Sequence, residues 1–510
     1  MSPLYVLWAA VVLVYYVLRR VRQSLPPGPT PFPILGNAHQ FLIGTMNGKS
    51  NVDIMREWAK IYGNVYTIWL GPMPVVLICD YQTVMDAFVK NGEAHAGRPT
   101  TFVTTKCRNG FMGLIFNEGP DWQDQRRFSL HTLRNFGFGR NIMQVKIMEE
   151  AKHRFEVLEK QIDVAKDGKL VMNPAPFFDI LIGSIVNKLL AGYRYDESNL
   201  DEFISLKHSL DVVMDIFNPL DFVIFNRFTY QLPLLKQRWD FLNKPVDDIM
   251  GLMKKQINDR QEAIASGKHV LDLNSEGDDY IDAYLIEMEK RKQKGQELGQ
   301  FCVDNLVTNL FDLWGAGLET TISTLLWACI YMLNTPGVQE KAREEIYSVT
   351  QGNRDVDLQD KASLPYVSAL VSEALRCGNV LSFNLLHKTT SKTVVGDYLI
   401  PKGTVITSQH SVIMTNDDNF KDAEKFNPDR FLEGNSLEKQ VIPFGVGKRS
   451  CVGESLARVE LFLILANFLQ RFKITPAVDE TPPSKEPISL VSLTKRVKPY
   501  EMTVERVSQT

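Results

Sequence analysis

Three glycines and a single cysteine stand close together in PFGVGKRSCVGESLA, residues 443–457, directly before an apolar helical segment. Gly445, Gly447 and Gly453 are typical of positions where a bulky group approaches the backbone or where φ is positive. Cys451 lies near the predicted start of the helix, where unpaired N–H groups and the helix dipole favour a thiolate over a thiol. The stretch therefore predicts a soft anionic ligand held against a large flat group.

A second candidate site lies inside a long apolar segment, in GAGLETT, residues 315–321. Ala316 and Gly317 leave the helix almost without side chains, as expected where a flat object presses on it. Glu319 and Thr320 place an acid beside an alcohol, which is costly in an apolar helix unless the pair is satisfied or functional. Either the pair passes protons to a bound oxygen, with the Thr320 hydroxyl bonded to an upstream carbonyl, or the small residues serve helix packing and Glu319 is a satisfied buried acid.

Several N–H donors are spread over distant motifs. DWQDQRRF places Trp122 and Arg126 four residues apart, on one face of a predicted helix. Further donors are Arg98 in HAGRP, His387 in LLHKTT and Arg449 before the cysteine. A ligand with two carboxylates would explain this many donors, although each alone is also compatible with a surface charge or a core residue.

Acid and base also meet in EALR, which puts Glu373 and Arg376 three residues apart on a helix. Alone, this is an ordinary helical ion pair. Arg430 in FNPDRF follows in a proline-marked loop. A buried Glu373 between the two arginines would form a satisfied charge cluster that fixes the loop before Cys451.

The hydrophobic periods around these motifs predict a mostly α fold with a small β region. Segments 64–79 and 394–408 each indicate two strands around a turn, and 268–300 indicates a solvated connection around one amphipathic helix. The segment 301–333 carries three acids, so we expect a central buried helix rather than a second membrane span. The other predicted helices are 120–134, 143–160, 237–262, 336–349, 364–377 and 453–470.

The N-terminus predicts a membrane anchor over residues 1–22, because an apolar run is followed by RRVR. By the positive-inside rule these arginines stay cytosolic, and so does the rest of the chain. The alternative is a cleaved signal peptide, which would carry its charge before the apolar run. A proline-rich hinge then spans residues 23–37, and we expect the catalytic domain to span residues 38–510.

The composition is that of an ordinary globular protein. The 510 residues carry a net charge of −3, which gives no reason to expect a nucleic-acid partner. The six cysteines are scattered, with no C-x-x-C pair and no zinc-like spacing, as is typical of a reducing compartment.

In chain order, WxxxR, AGxET, ExxR and FxxGxRxC have the spacing of the cytochrome P450 family, which this sequence resembles from PPGPTPFPILGN to its C-terminus. FGVGKRSCVG is the specific signal. Three further stretches resemble those of the microsomal animal enzymes that oxidise drugs, steroids and fatty acids: RRFSLHTLRNFGFG, GAGLETT and DYLIPKGT. The stretch EALRCGNVLSFNLLHKTT resembles invertebrate members of the family. The resemblance implies the cytochrome P450 fold behind one N-terminal transmembrane helix.

The resemblance also assigns roles to the candidate residues. Cys451 would be the thiolate ligand of the iron of haem b, with Phe444 packed near the sulfur. Ala316 and Gly317 would face the distal side of the haem, where Thr320, with Glu319, would deliver protons to bound dioxygen. The haem propionates would be bound by Arg449, Arg126, Trp122, Arg98 and His387.

The implied activity puts one atom of O2 into a lipophilic small molecule: a polyunsaturated fatty acid, a steroid or a xenobiotic. Electrons would come from NADPH through a membrane-bound flavoprotein reductase, at the cytosolic face of the endoplasmic reticulum membrane. The basic residues offered to the reductase would be Arg127, Arg134, Arg140 and Lys448. Two alternatives stay open: a haem-thiolate isomerase or dehydratase of lipid peroxides, and a haem-binding membrane protein without turnover.

Two departures from the family pattern concern the substrate pocket. Ser382 stands where many relatives have proline, and Leu318 replaces a small polar residue. The residues expected to line the pocket, which are equally compatible with an ordinary core, are Phe102, Phe111, Ile115, Phe116, Phe217, Asn309, Leu313, Leu381, Leu385 and Leu490.

Overall fold

The computed structural model describes residues 21–507, except 34, 109, 111, 138–140, 217–220, 435, 478–480 and 490–493. Most of the described chain is helical. The α-helices are α1 (Ala38–Met46), α2 (Asn51–Tyr62), α3 (Tyr81–Val84), α4 (Phe102–Lys106), α5 (Gly119–Asn135), α6 (Asn141–Val164), α7 (Ala175–Ala191), α8 (Leu200–Ile216), α9 (Asp221–Ile224), α10 (Pro233–Ala265), α11 (Tyr280–Gln293), α12 (Val303–Leu333), α13 (Val338–Thr350), α14 (Pro365–Gly378), α15 (His410–Met414) and α16 (Glu454–Arg471).

Three small sheets accompany these helices. The first has the strand order β1-β2-β7-β4, with β2 and β7 parallel and the other pairs antiparallel; the others are β3-β9-β8 and the hairpin β5-β6. The strands are β1 (Val65–Leu70), β2 (Met73–Ile78), β3 (Lys169–Met172), β4 (His387–Lys388), β5 (Thr393–Val395), β6 (Tyr398–Ile400), β7 (Val405–Ser408), β8 (Phe472–Pro476) and β9 (Met502–Arg506). The prediction of a mostly α fold with a small β region is confirmed.

Helix α12 is the centre of the main core. It packs against α7, α10, α14 and α16, and long apolar side chains such as Trp314 and Trp327 are completely buried along it. Within the described residues it is the one helix long and apolar enough to cross a bilayer, but most of it is buried inside the protein. The prediction of a central core helix is therefore confirmed.

The hinge is anchored on the first sheet. The Thr67 N–H donates to Pro27 O at 2.9 Å, and a side chain on Gly28 would collide with the backbone of Thr67. Arg22 adds a bond to Gly28 O at 3.2 Å. The predicted spacer is thus fixed to β1 through Pro27 and Gly28.

One strand prediction was incomplete. Segment 394–408 forms a hairpin, β5-β6, but its last strand β7 leaves the hairpin and pairs with β2 in another sheet. Some predictions fall outside the described residues: residues 1–20 of the anchor predicted over 1–22, together with Phe111, Arg140, Phe217 and Leu490.

Candidate active site

The loop before α16 places Cys451 at the helix N-terminus. The Cys451 N–H donates to Phe444 O at 2.9 Å, which closes the loop and keeps Phe444 beside the cysteine. Gly445 and Gly447 have φ of +65° and +79°, and a side chain on Gly447 would collide with Phe88 O. Glycine is therefore required at both positions, as predicted from the sequence.

Cys451 is also distinguished by its exposure. All six cysteines are free; Cys451 is exposed, while the other five are buried or partly buried. Burial around the sulfur raises the pKa of the Cys451 thiol, and the N–H groups of Gly453 and Glu454 at the start of α16, with Arg126, oppose that rise. A thiolate at Cys451 would thus be stabilised by the helix terminus and remain open to a ligand.

Arg449 is held in a frame of backbone carbonyls. Its Nε donates to Ala96 O and its Nη2 to Asn117 O, both at 2.8 Å, and its guanidinium lies 3.4 Å from the centre of the Trp122 ring. Its Nη1 is buried and has no hydrogen-bond partner among the described residues. A buried, orphaned donor on a charged group is costly, so Arg449 is built to receive an acceptor.

Arg98 and His387 come from different segments of the chain. The Arg98 side chain donates to Ile115 O at 2.9 Å and to Leu386 O at 2.8 Å. His387 Nδ1 lies 2.7 Å from His95 O, and burial holds the pKa of His387 well below its usual value, with Arg98 adding to the effect. His387 is therefore a neutral ring oriented by the backbone.

Trp122 and Arg126 lie on one face of α5, as predicted, but their donors point to different acceptors. The Trp122 indole N–H donates to Leu114 O at 3.1 Å, and Arg126 Nη2 donates to Ser450 O at 2.6 Å. The two donors do not converge on one point in this structure. Trp122 instead supports Arg449 by stacking, while Arg126 ties α5 to the cysteine loop.

The cluster of Arg98, Arg126 and Arg449 carries an excess of positive charge. Burial, with Arg126 nearby, lowers the pKa of Arg98 to about 9. Burial, with Arg98 and Arg126 nearby, lowers the pKa of Arg449 to about 8. Buried cations that repel one another are stable only beside an anion, and two carboxylates of one ligand would supply it.

One face of the core helix α12 is also accessible. Ala316 is exposed and Thr320 partly exposed, although their neighbours along this core helix are mostly buried. The Thr320 hydroxyl donates to Ala316 O at 2.7 Å, which is the upstream carbonyl bond predicted from the sequence. This face combines a small side chain with a hydroxyl and is open to a ligand.

Gly317 and Glu319 lie on other sides of α12, Gly317 toward α7 and Glu319 toward Lys207 and Arg496. A side chain on Gly317 would lie 3.3 Å from Val186 Cγ2 of α7, so its small size allows close helix packing. The Glu319 carboxylate forms ion pairs with Arg496, whose Nε lies at 3.1 Å, and with Lys207, whose Nζ lies at 3.6 Å. The alternative interpretation, small residues for packing and a satisfied buried acid, fits these two residues.

The second charge cluster is closed. Glu373 and Arg376 are completely buried, and Arg376 binds both carboxylate oxygens at 2.7 and 2.8 Å. Arg430 Nε donates to Glu373 Oε1 at 3.0 Å, and its other donors reach carbonyls of residues 421–425. This cluster fixes the loop at 421–430, as the sequence predicted.

The sequence reasoning missed an ion pair that fixes the loop before α5. Buried Arg108 pairs with Asp312 of α12, and the N–H groups of Leu114 and Ile115 donate to Asp312 at 2.7 and 3.1 Å. Asp312 is one of the three acids in 301–333 that, in the sequence, argued only against a second membrane span. Its partners lie about two hundred positions earlier, and no spacing rule connects such residues.

Asn309 was equally compatible with the substrate pocket and with an ordinary core, and the structure places it in the core. It is completely buried, and its Nδ2 donates to Gln125 Oε1 at 2.9 Å and to Tyr280 OH at 3.4 Å. Its side chain therefore joins three helices. Phe102 packs against the rings of Tyr230 and Trp239.

The expected basic patch is partly neutralised within the described residues. Arg127 pairs with Asp124 at 2.7 Å, and Lys448 pairs with Glu93. Arg134 is exposed. The proposed reductase surface therefore contains acids as well as bases.

Comparisons with known proteins agree on one family. The family model described as Cytochrome P450 matches residues 26–504. The protein named "Probable cytochrome P450 cyp-35D1" of Caenorhabditis elegans is 33% identical over 472 residues, which cover 92% of each chain. Cytochrome P450 2C1 of Oryctolagus cuniculus is 35% identical over 487 residues, or 94% of each chain. Cytochrome P450 2C26 of Mesocricetus auratus is 33% identical over 483 residues, or 92% of this chain and 94% of its own.

Proposed function

The chain belongs to the cytochrome P450 family, and on that premise we propose that it is a membrane-anchored monooxygenase that inserts one atom of O2 into a lipophilic small molecule. The cofactor of this family is haem b. The observation that carries the proposal is the exposed Cys451 at a helix N-terminus, beside a cluster of arginines that includes an orphaned donor. A flat cofactor with two carboxylates and a metal ion that binds thiolate suits both the exposed cysteine and the arginine cluster.

When bound, the haem would supply oxygen activation, and the Cys451 thiolate would be the side chain that binds its iron. The propionates would be held by Arg98, Arg126 and Arg449, and His387 would orient the propionate end of the haem. Trp122 would act by stacking on Arg449. Phe444 would shield the sulfur from water.

On the opposite side, Ala316 would leave room for oxygen and substrate, and the Thr320 hydroxyl would hold the proton that the reaction consumes. Glu319 was predicted to share this task. Its carboxylate is engaged by Arg496 and Lys207, so we assign it to the fixing of α12 against its neighbours.

The proposed substrates are lipophilic: polyunsaturated fatty acids, steroids or xenobiotics. The described pocket candidates Ile115, Phe116, Leu313, Leu381 and Leu385 are apolar, which suits such molecules. Electrons would come from NADPH through a flavoprotein reductase. The similar proteins found by the comparisons are animal cytochromes P450, which supports an enzyme of the microsomal type.

We place the enzyme at the endoplasmic reticulum membrane, with the catalytic domain on the cytosolic face. Exposed apolar side chains support membrane contact beyond the predicted anchor. On α1, Leu42 is 63% exposed and Met46 78% exposed; near the start of α10, Phe228 is 77% exposed and Leu234 85% exposed. Groups of exposed apolar side chains that form a patch are typical of membrane or protein contact surfaces.

Two measurements test the proposal. In the first, the reduced carbon monoxide complex should show the red-shifted Soret band of thiolate ligation, and Cys451→Ser should abolish it. If the variant keeps the band, the ligand assignment is wrong.

The second measurement is product analysis. The membrane-bound protein, with reductase and NADPH, is offered fatty acids, steroids and drug-like lipophiles, and oxygenated products are read by mass spectrometry. Products that need NADPH and contain oxygen from O2 support the monooxygenase. Rearranged peroxides without NADPH use would indicate an isomerase instead, and haem without any turnover would indicate a binding protein.

A further inference from the structure

We propose that Glu118 and Lys388 form a charge-balancing pair that fixes Arg98 and tunes the reduction potential of the haem. This inference rests on the proposed function, in which Arg98 binds a propionate. The sequence assigned a role to neither residue, although Lys388 follows His387 in LLHKTT.

The Glu118 carboxylate joins three segments of the chain. Its Oε1 accepts from Lys388 Nζ at 2.7 Å, and its Oε2 accepts from the Arg98 backbone N–H at 2.8 Å. Glu118 directly precedes α5, and Lys388 is the second residue of β4. The pair therefore lies where the segments that carry the propionate donors meet.

The backbone around the pair is held independently of it. Gly97 N donates to Lys388 O at 3.1 Å, and Lys388 N donates to Gly97 O at 2.8 Å. A side chain on Gly97 would lie 2.6 Å from Lys388 O and 3.1 Å from Glu118 Oε2, so glycine permits this close approach. Because two backbone bonds fix these segments, neutral substitutions in the pair should leave the fold intact.

The charge of Glu118 acts on the arginine cluster. Burial alone would raise the pKa of Glu118, but Lys388 and the Arg98 N–H hold it below its usual value, so the carboxylate is ionised at neutral pH. It also acts on Arg449, where it partly opposes the lowered pKa. Glu118 thus places a negative charge among the arginines that the propionates need, and Lys388 offsets it.

This arrangement predicts that neutralising Glu118 and neutralising Lys388 shift the reduction potential of the haem in opposite directions. A negative charge near the haem favours the ferric over the ferrous form, because ferric iron carries one more positive charge. Glu118→Gln should therefore raise the reduction potential and Lys388→Met should lower it. A purely structural pair would behave differently, since both substitutions break the same hydrogen bond.

The experiment is a reductive titration of the haem-loaded full-length protein, followed by its absorption spectrum, for both single variants and the double variant. We expect opposite shifts in the single variants and a near wild-type potential in the double variant. Shifts in the same direction, or none, would overturn the proposal. If Glu118→Gln does not retain haem, Lys388→Met alone still has to lower the potential.

Two further variants complete the design. Glu57→Gln neutralises the acid of a matched exposed pair, in which Lys49 lies 2.7 Å from Glu57, and should leave the potential unchanged. Arg126→Leu tests the site itself by the rate of haem transfer to apomyoglobin. If Arg126→Leu leaves that rate unchanged, the propionate assignment fails, whatever the Glu118 and Lys388 variants do.

Discussion

Two arginine clusters in this protein differ in whether a carboxylate of the chain balances their charge. Around Glu373, two arginines share a carboxylate, and their remaining donors reach backbone carbonyls. Around Arg449, three arginines meet, and one buried donor has no partner among the described residues. The first cluster is complete without a ligand, whereas the second is not.

The pKa directions express the same difference. The bond to Glu373 raises the pKa of Arg376 above its ordinary value, although burial alone would lower it. The pKa of Arg449 falls to about 8, because burial dominates there and neighbouring arginines add to it. A closed charge cluster therefore marks a structural role, and an unbalanced one marks a site for a ligand of opposite charge.

The largest effect should follow from opening the closed cluster. Glu373→Ala would leave Arg376 and Arg430 buried without their carboxylate, which costs about 3–5 kcal/mol of unfolding free energy. Denaturant unfolding or the yield of folded protein measures it. Glu424→Ala is the control, because this side chain is 79% exposed and its pair with Arg56 is long, at 3.5 Å. Equal stability losses in the two variants would contradict the comparison.

A buried carboxyl group without a cationic partner also tests the difference between balanced and unbalanced charges. Glu460 is almost completely buried; Thr321 donates to one of its oxygens at 3.4 Å, and the other oxygen has no partner within the described chain. Burial raises the pKa of Glu460 to about 8. Without a counter-ion, the group is thus neutral at physiological pH instead of balanced.

The sign of the pH dependence follows from this pKa. A folded-state pKa above the unfolded one means that the folded protein binds the extra proton, so stability falls as pH rises from about 5 to 8. Glu460→Gln cannot ionise and should flatten this fall by about 2–3 kcal/mol between pH 6 and pH 8, at ~1.4 kcal/mol per pH unit. Melting temperatures of both proteins against pH measure it. Parallel curves would show that Glu460 is not the group responsible.

The unbalanced cluster should respond in ligand affinity rather than in stability. Arg126 makes one hydrogen bond, to Ser450 O, so Arg126→Leu should change the unfolding free energy of the haem-free protein by no more than about 1 kcal/mol. Its haem affinity should fall by about 10- to 100-fold, as for other supporting partners of metal sites. Competition with apomyoglobin measures the affinity. A large stability loss with unchanged affinity would place Arg126 with the closed cluster.

The sequence predicted local features well and long-range partnerships poorly. Helix periods gave bounds such as 120–134 for α5 (Gly119–Asn135), because amphipathic spacing is a local property. Helix α7 (Ala175–Ala191) was missed, since it is buried nearly all round and carries no motif. In the site, the residues of each motif were found, but the partners of Glu319, Asp312 and Glu118 were not, because they lie far away in the chain.

The smallest effect concerns Glu319 and Thr320, adjacent residues that the comparison assigns to different roles. Thr320 lies on the open face of α12, so Thr320→Ala should keep NADPH consumption but divert it severalfold from product to hydrogen peroxide. Thr320→Ser retains the hydroxyl and should restore coupling. Glu319 is balanced by Arg496 and Lys207, so Glu319→Gln should lower thermal stability and leave the ratio of product to NADPH nearly unchanged. If Glu319→Gln diverts NADPH to hydrogen peroxide as Thr320→Ala does, Glu319 takes part in proton delivery even though Arg496 and Lys207 balance its charge. The acid–alcohol pair of Glu319 and Thr320 is then the proton relay.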